Sequence, residues 1–231
     1  MQKDIKELEK IIGYTFRQPD LLERALTHSS RANELEGGAY CGNERLEFLG
    51  DAVLDAIVSI FLYESGARRE GAMTRIRAAV VCEKSLAAAS ARFGLHNFIR
   101  LGKGEESDGG RSRDSIRADA LEAVIGAVYL DGGMAAASKT VSLLLGETMN
   151  RALSDGLQGD YKTALQEELQ RSGPAEIMYE IVSESGPDHD KRFEAAVSVD
   201  GTRIGTGSGN SKKQAQQEAA KAALAGLNER Q

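Results

Sequence analysis

The sequence predicts two domains in one chain, an all-α domain followed by a small α+β domain of order α-β-β-β-α. Apolar residues recur at helical spacing in one segment after another through residues 1–153, and strand signals are scarce there. The pattern then breaks into small and polar residues at Ser154-Asp155-Gly156-Leu157-Gln158-Gly159-Asp160. Beyond it, alternating apolar runs lie between two helical stretches. With 231 residues and 41% hydrophobic content, the chain suits one domain of ordinary size plus a small one. The boundaries are read as 1–153, a linker at 154–159, and 160–231.

Taken in order, the first domain opens with an amphipathic helix through Ile12, and Pro19-Asp20 starts a second into Leu21–Leu26. A long helix begins near Asn43 and runs through Leu62. Another is expected over Met73–Phe93. The glycine-rich polar stretch Gly102–Arg113 reads as a mobile loop, before helices at Asp119–Leu130 and Met134–Leu153. In the second domain, Tyr161–Arg171 is helical and stops before Ser172-Gly173-Pro174. Ile177, Tyr179 and Ile181 alternate, as do Phe193, Ala195, Val197 and Val199, and Asp200-Gly201 marks a tight hairpin into Thr202–Gly209. Ser211-Lys212-Lys213-Gln214 is an S-x-x-Q capping box opening an alanine-rich helix through Leu227.

Chemistry concentrates on two of these helices. At roughly 100° per residue, Glu44, Glu47 and Asp51 fall within about 60° of one another, with Leu46, Leu49, Val53, Ile57 and Ile60 on the opposite side. Asp119 and Glu122 share a face of a helix that is otherwise almost wholly apolar, and such a helix is buried. Like charges at this spacing repel and are costly to desolvate, so the cluster needs a cation. Oxygen ligands without a nearby His or Cys suit Mg²⁺, for which Mn²⁺ is expected to substitute. Asp55 extends the stripe by one turn and reads as a surface or structural acid. A di-iron or di-manganese bundle would need Glu-x-x-His motifs, and neither Glu47 nor Glu122 has a His three residues on.

Composition limits the remaining options. Two isolated cysteines, Cys41 and Cys82, make neither a disulfide framework nor a zinc site and fit a reducing cytoplasm. The charged N-terminus, and the lack of an apolar run of about 18 residues free of acids, argue against a signal peptide or membrane span. A net charge of -6 requires any nucleic-acid contact to come from local patches. Arg111, Arg113 and Arg117 are one candidate. Lys212 and Lys213, set against the dipole in the first turn of the last helix after Ser211, are another, since they and the free N–H groups attract an anion. Thr163, Gln166 and Glu167 on one helix face, and His189 in the loop Gly186-Pro187-Asp188-His189, add polar groups suited to the 2′-hydroxyls of A-form RNA.

These residues resemble bacterial ribonuclease III across nearly the whole chain. Asn43-Glu44-Arg45-Leu46-Glu47-Phe48-Leu49-Gly50-Asp51 is similar to the family signature, Ala118-Asp119-Ala120-Leu121-Glu122-Ala123 to its second acidic motif, and Leu26-Thr27-His28-Ser29-Ser30 to an N-terminal one. The C-terminal part resembles a double-stranded-RNA-binding domain. Two departures are small: Arg117 stands where an aliphatic residue is common, and Gln216 replaces a basic residue, which implies modestly weaker RNA affinity. The resemblance implies an all-α endonuclease domain and an RNA-binding domain that together hydrolyse double-stranded RNA to 5′-phosphate and 3′-hydroxyl ends. It implies that Glu47, Asp119 and Glu122 bind Mg²⁺, that Asp51 and Glu122 are most essential, and that Glu44 assists at the RNA-facing edge. His28 is then structural or supporting. It further implies a homodimer in which Phe48 inserts into the partner, staggered cuts with two-nucleotide 3′ overhangs, and substrates such as ribosomal-RNA precursors and structured messages. A non-enzymatic RNA-binding regulator on the same scaffold is the alternative, and the presence of every motif carboxylate speaks against it.

Overall fold

Helix follows helix in the first part of the chain: α1 (Ile5–Ile12), α2 (Pro19–Ala25), α3 (Ser29–Ala32), α4 (Glu44–Glu64), α5 (Glu70–Val81), α6 (Glu83–Arg92), α7 (Lys103–Ser107) and α8 (Asp114–Gln158). After them come α9 (Tyr161–Gln170), β1 (Ile177–Ser185), β2 (Arg192–Val199), β3 (Thr202–Gly209) and α10 (Lys212–Asn228). The structure, a computed structural model, describes residues 5–35, 41–66, 70–158, 161–171, 173–187 and 191–228. Two compact units emerge, Met1–Leu153 and Ser154–Gln231.

In the first unit α4 and α8 carry much of the core. Leu54 and Val58 on α4, and Ala120, Val124, Ile125 and Val128 on α8, have no solvent access. Ile60 departs from the expected core face and is 49% exposed. The start of α4 is anchored from behind: the Asn43 amide donates to the Thr27 carbonyl at 2.9 Å, and Thr27 forms a parallel bridge with Arg100. At Gly133, with φ 76° and ψ -177°, α8 breaks, so the two helices expected from the sequence meet at a kink. Buried Asp131 ties that kink to the chain before α2. It accepts from the Tyr14 hydroxyl at 2.8 Å and from the Arg17 and Gln18 amides at 2.8 and 3.0 Å. Burial alone would raise the Asp131 pKa, but these donors hold it below the usual carboxylate range. By length and composition Asp114–Gly156 could cross a membrane, yet 56% of its most apolar window is buried, as in a core helix.

Three local expectations are corrected. The helix foreseen over Met73–Phe93 is two, because Cys82 adopts extended backbone (φ -66°, ψ 150°) between α5 and α6. The stretch Gly102–Arg113 is structured, not a loop throughout: it contains α7 and a 3₁₀ turn at Gly110–Ser112, held by partners far away in sequence. The Gly102 amide donates to Ser30 Oγ, the Lys103 amide to Glu34, and the Arg111 guanidinium to the His96 carbonyl. Finally, α8 continues through Gln158, so most of the stretch read as a linker is helical.

The second unit is an antiparallel sheet of order β1-β2-β3 covered by helices. The Asp200-Gly201 hairpin forms with both residues at positive φ, 49° and 77°, as a type I′ turn requires. Gly205 and Gly207 on β3 let the backbone of α10 lie against the sheet. A Cβ at either would collide with backbone atoms of Glu218 to Ala223. The core there is correspondingly small, built from Leu165, Ala195, Val197, Ala215, Ala219 and Ala223. Half of the capping box forms as expected: Ser211 Oγ accepts from the Gln214 amide at 3.2 Å, while Gln214 Oε1 reaches one residue past the cap and accepts from the Asn210 amide at 3.0 Å.

Candidate active site

The acids of α4 and α8 meet because two glycines let the helices touch. A Cβ at Gly50 would strike the carbonyl of Glu122, and one at Gly126 would strike the carbonyl of Leu46. Backbone contact at this crossing brings Glu47, three residues before Gly50, to Asp119 and Glu122, two turns and one turn before Gly126. Each offers a carboxylate oxygen, and the three atoms all lie within 4.8 Å of one another on half-buried side chains.

The electrostatics of the cluster favour a positive charge at its centre. Burial pushes Glu122 up to about 8, with the charges of Asp51, Asp119, Glu47 and Asp55 adding to the effect. Burial also raises Glu47, reinforced by Asp119, Glu44 and Asp51. At Asp119 burial again dominates in the upward direction, opposed by His28 and reinforced by Glu83. None of the three forms an ion pair among the described residues, so an oxygen-preferring divalent cation fits the donor set.

The other expected residues take distinct places. Asp51 and Glu44 are exposed beside the trio. Asp55 faces Arg77, with Nε 3.8 Å from its Oδ1, consistent with a structural acid at the edge of the cluster. His28 caps α3, accepting from the Ser30 amide at 3.3 Å, with its Nδ1 2.8 Å from Ser30 Oγ. Phe48 is 80% exposed. Arg111 and Arg113 are engaged with Glu106 and Glu105, and Arg117 Nε donates to the Arg111 carbonyl, so these cations brace the segment before α8. In the second unit Thr163, Gln166 and Glu167 are exposed on α9, and Ser211, Lys212 and Lys213 are exposed where α10 begins. Lys212 Nζ lies 4.0 Å from Glu184 and 5.7 Å from the centre of the Phe193 ring. His189 lies outside the described residues.

Known proteins share both halves. Residues 18–148 match the Ribonuclease-III-like family, and residues 161–227 match the double-stranded RNA binding motif. The chain belongs to the ribonuclease III family. It is 49% identical over 218 residues to the Ribonuclease 3 of Desulforamulus reducens, spanning 94% of this chain and 89% of that one. With the Ribonuclease 3 of Streptococcus thermophilus it shares 46% over 95% of this chain and 96% of the relative. The nuclease domain of ribonuclease III from Campylobacter jejuni superposes with a TM-score of 0.58 at 41% identity, covering 62% of this chain and 97% of that domain. As a ribonuclease III, the protein is an endoribonuclease acting on double-stranded RNA.

Two features of the candidate site in this ribonuclease III escape a reading of motifs. Gly50 and Gly126 set the approach of its helices, and their only sequence signal is a glycine inside an apolar helix. Glu83 adds negative charge near Asp119 from the first turn of α6. In sequence it is indistinguishable from any acid at a helix start.

Proposed function

We propose that the chain is a Mg²⁺-dependent homodimeric endonuclease that cuts both strands of duplex RNA, leaving 5′-phosphate and 3′-hydroxyl ends with two-nucleotide 3′ overhangs. Its substrates are precursors of ribosomal RNA and structured messages in the cytoplasm. On this reading residues 1–153 cut and residues 160–231 bind the duplex. The convergence of Glu47, Asp119 and Glu122 within 4.8 Å carries the proposal.

Those three side chains would hold Mg²⁺, which Mn²⁺ would replace. When bound, the cation supplies Lewis acidity, neutralising phosphate oxygens and acidifying water. The remaining work belongs to the chain. Asp51, exposed beside Glu122, would accept the proton released as water adds to phosphorus, and Glu44 would assist at the RNA-facing edge. The phosphorus bond to the 3′ oxygen breaks, and that oxygen takes up a proton from solvent water to leave as a hydroxyl, which accounts for the expected ends. Thr163, Gln166, Glu167, His189, Ser211, Lys212 and Lys213 would grip the minor groove and phosphates.

Two cuts need two sites, and a two-fold dimer supplies them. Supporting this, Phe48, Ile60 and Tyr63 leave large apolar surfaces exposed along α4, and a cavity of about 460 Å³ lined by Ile60, Tyr63, Met73 and Arg77 could receive an aromatic side chain. The deciding experiment incubates a labelled perfect duplex with and without Mg²⁺ and determines the end groups. Cutting only with Mg²⁺, to the stated ends, is expected, and Glu122→Gln or Asp51→Asn should abolish it while leaving duplex binding in Mg²⁺-free buffer nearly unchanged. Cleavage by either variant at the wild-type rate would overturn the site assignment.

A further inference from the structure

The second unit contains a cavity of about 350 Å³ between α9 and β1, lined among others by Lys162, Thr163, Gln166, Gln170, Ile177 and Tyr179. Thr163, Gln166 and Gln170, at i, i+3 and i+7, bring one face of α9 to its wall. The Tyr179 hydroxyl is buried and has no hydrogen-bond partner among the described residues. Buried polar atoms are nearly always paired, and leaving one unpaired costs free energy, so this hydroxyl calls for an explanation. Burial raises the Tyr179 pKa to about 12, so the group is a hydrogen-bond donor throughout the physiological range.

An anion would find a single positive charge in this cavity, and that charge is already engaged. Lys162 is the one cation in its lining among the described residues, and its Nζ already lies 4.0 Å from the centre of the Tyr179 ring and 3.0 Å from Gln216 Oε1. What remains is an apolar wall from Ile177, two side-chain amides that both donate and accept, and one orphaned donor. A flat heterocycle with hydrogen-bonding edges satisfies that set. Thr163 and Gln166 also belong to the face assigned above to the duplex, so the cavity opens beside bound RNA. Paired bases stay in the stack, whereas an unpaired base can be splayed out and read on its edges.

We propose that this cavity receives a single unpaired nucleobase extruded from the duplex, with Tyr179 donating to it, so that bulges bias where the enzyme settles. The proposal rests on the double-stranded-RNA reading of α9. It is tested by measuring binding of the full-length protein, in Mg²⁺-free buffer, to three short RNA duplexes: one perfect, one with a single unpaired adenosine, and one with an abasic nucleotide at the same bulge. The abasic probe keeps the bend and flexibility of a bulge and removes only the base. The adenosine bulge should bind about tenfold tighter than the abasic one, and Tyr179→Phe should bring the two close to parity while affinity for the perfect duplex holds. Because the hydroxyl has no partner among the described residues, the variant should melt at the wild-type temperature or above, which separates loss of contact from loss of fold. Equal affinity of the wild type for both bulges, or an undiminished preference in Tyr179→Phe, would overturn the pocket while leaving the duplex reading intact. Failure of the wild type to bind even the perfect duplex would overturn that reading and the pocket with it.

Discussion

Glu122 is the residue on which burial and charge press hardest, and its titration has a sign that can be worked out. Its carboxyl is raised from 4.5 to about 8 by burial and then by Asp51, Asp119, Glu47 and Asp55. Between those values the folded, metal-free protein keeps a proton that the unfolded chain has given up. The stability contributed by this group therefore falls as pH rises through that window and levels off above it. A cation competes with the same proton, so Mg²⁺ should gain affinity over the same interval. In thermal melts without metal, the wild type should lose stability relative to Glu122→Gln as pH is raised from about 5 to about 8, and Mg²⁺ should raise the wild-type midpoint more at the upper end. Parallel curves for the two proteins would remove Glu122 as the group responsible. This chemistry was legible in the sequence, because carboxylates at helical spacing inside apolar segments have few structural reasons to be there.

At the scale of elements, the crossing of α4 and α8 decides whether those acids meet. Gly50 and Gly126 place backbone against backbone, so Gly126→Ala must push the helices apart. A cost of about 1–3 kcal/mol is expected for such overpacking, and cleavage should fall further than the change in the folded fraction explains. Denaturant titration beside a cleavage assay distinguishes the two effects. The sequence showed the acids on these helices but not the glycines that set their distance, since a glycine's role depends on what approaches it. The same logic separates the local successes from the misses. Asp200-Gly201 and the Ser211 cap were readable because their signals are local: a residue pair that tolerates positive φ, and a serine that accepts from the amide three residues on. The break at Cys82 carried no such local mark, and the order of Gly102–Arg113 depends on Ser30, Glu34 and His96, remote in sequence. In the second unit, Lys212 and Lys213 remain exposed at the start of α10, with Glu184 tempering the first. Replacing both with alanine should weaken duplex binding and reduce the slope of log affinity against log salt by about one to two. An unchanged slope would mean that these lysines do not meet phosphates.

For the whole molecule, a net charge of -6 and a polyanionic substrate are compatible only if contact is local, and the second unit answers that need with a few exposed cations and polar side chains rather than a basic excess. Assembly is the property least visible in a single chain, because a side chain that anchors a partner looks the same in sequence as one that fills the core. Phe48 illustrates this: it sits in the middle of the acidic signature, yet it is 80% exposed. Its replacement by Asp removes little packing within one copy, so the melting temperature of the isolated fold should change only slightly, in keeping with the effect of about 0.5 kcal/mol or less usual for surface sites. A buried aromatic anchor at a two-fold interface is another matter, since a carboxylate there would be desolvated on both sides of the axis. Sedimentation should therefore show a dimer for the wild type and a monomer for Phe48→Asp. With one acidic cluster per particle, the variant should release nicked duplexes before any double-strand product. A variant that remains dimeric and cuts both strands together would place the interface elsewhere on the nuclease unit.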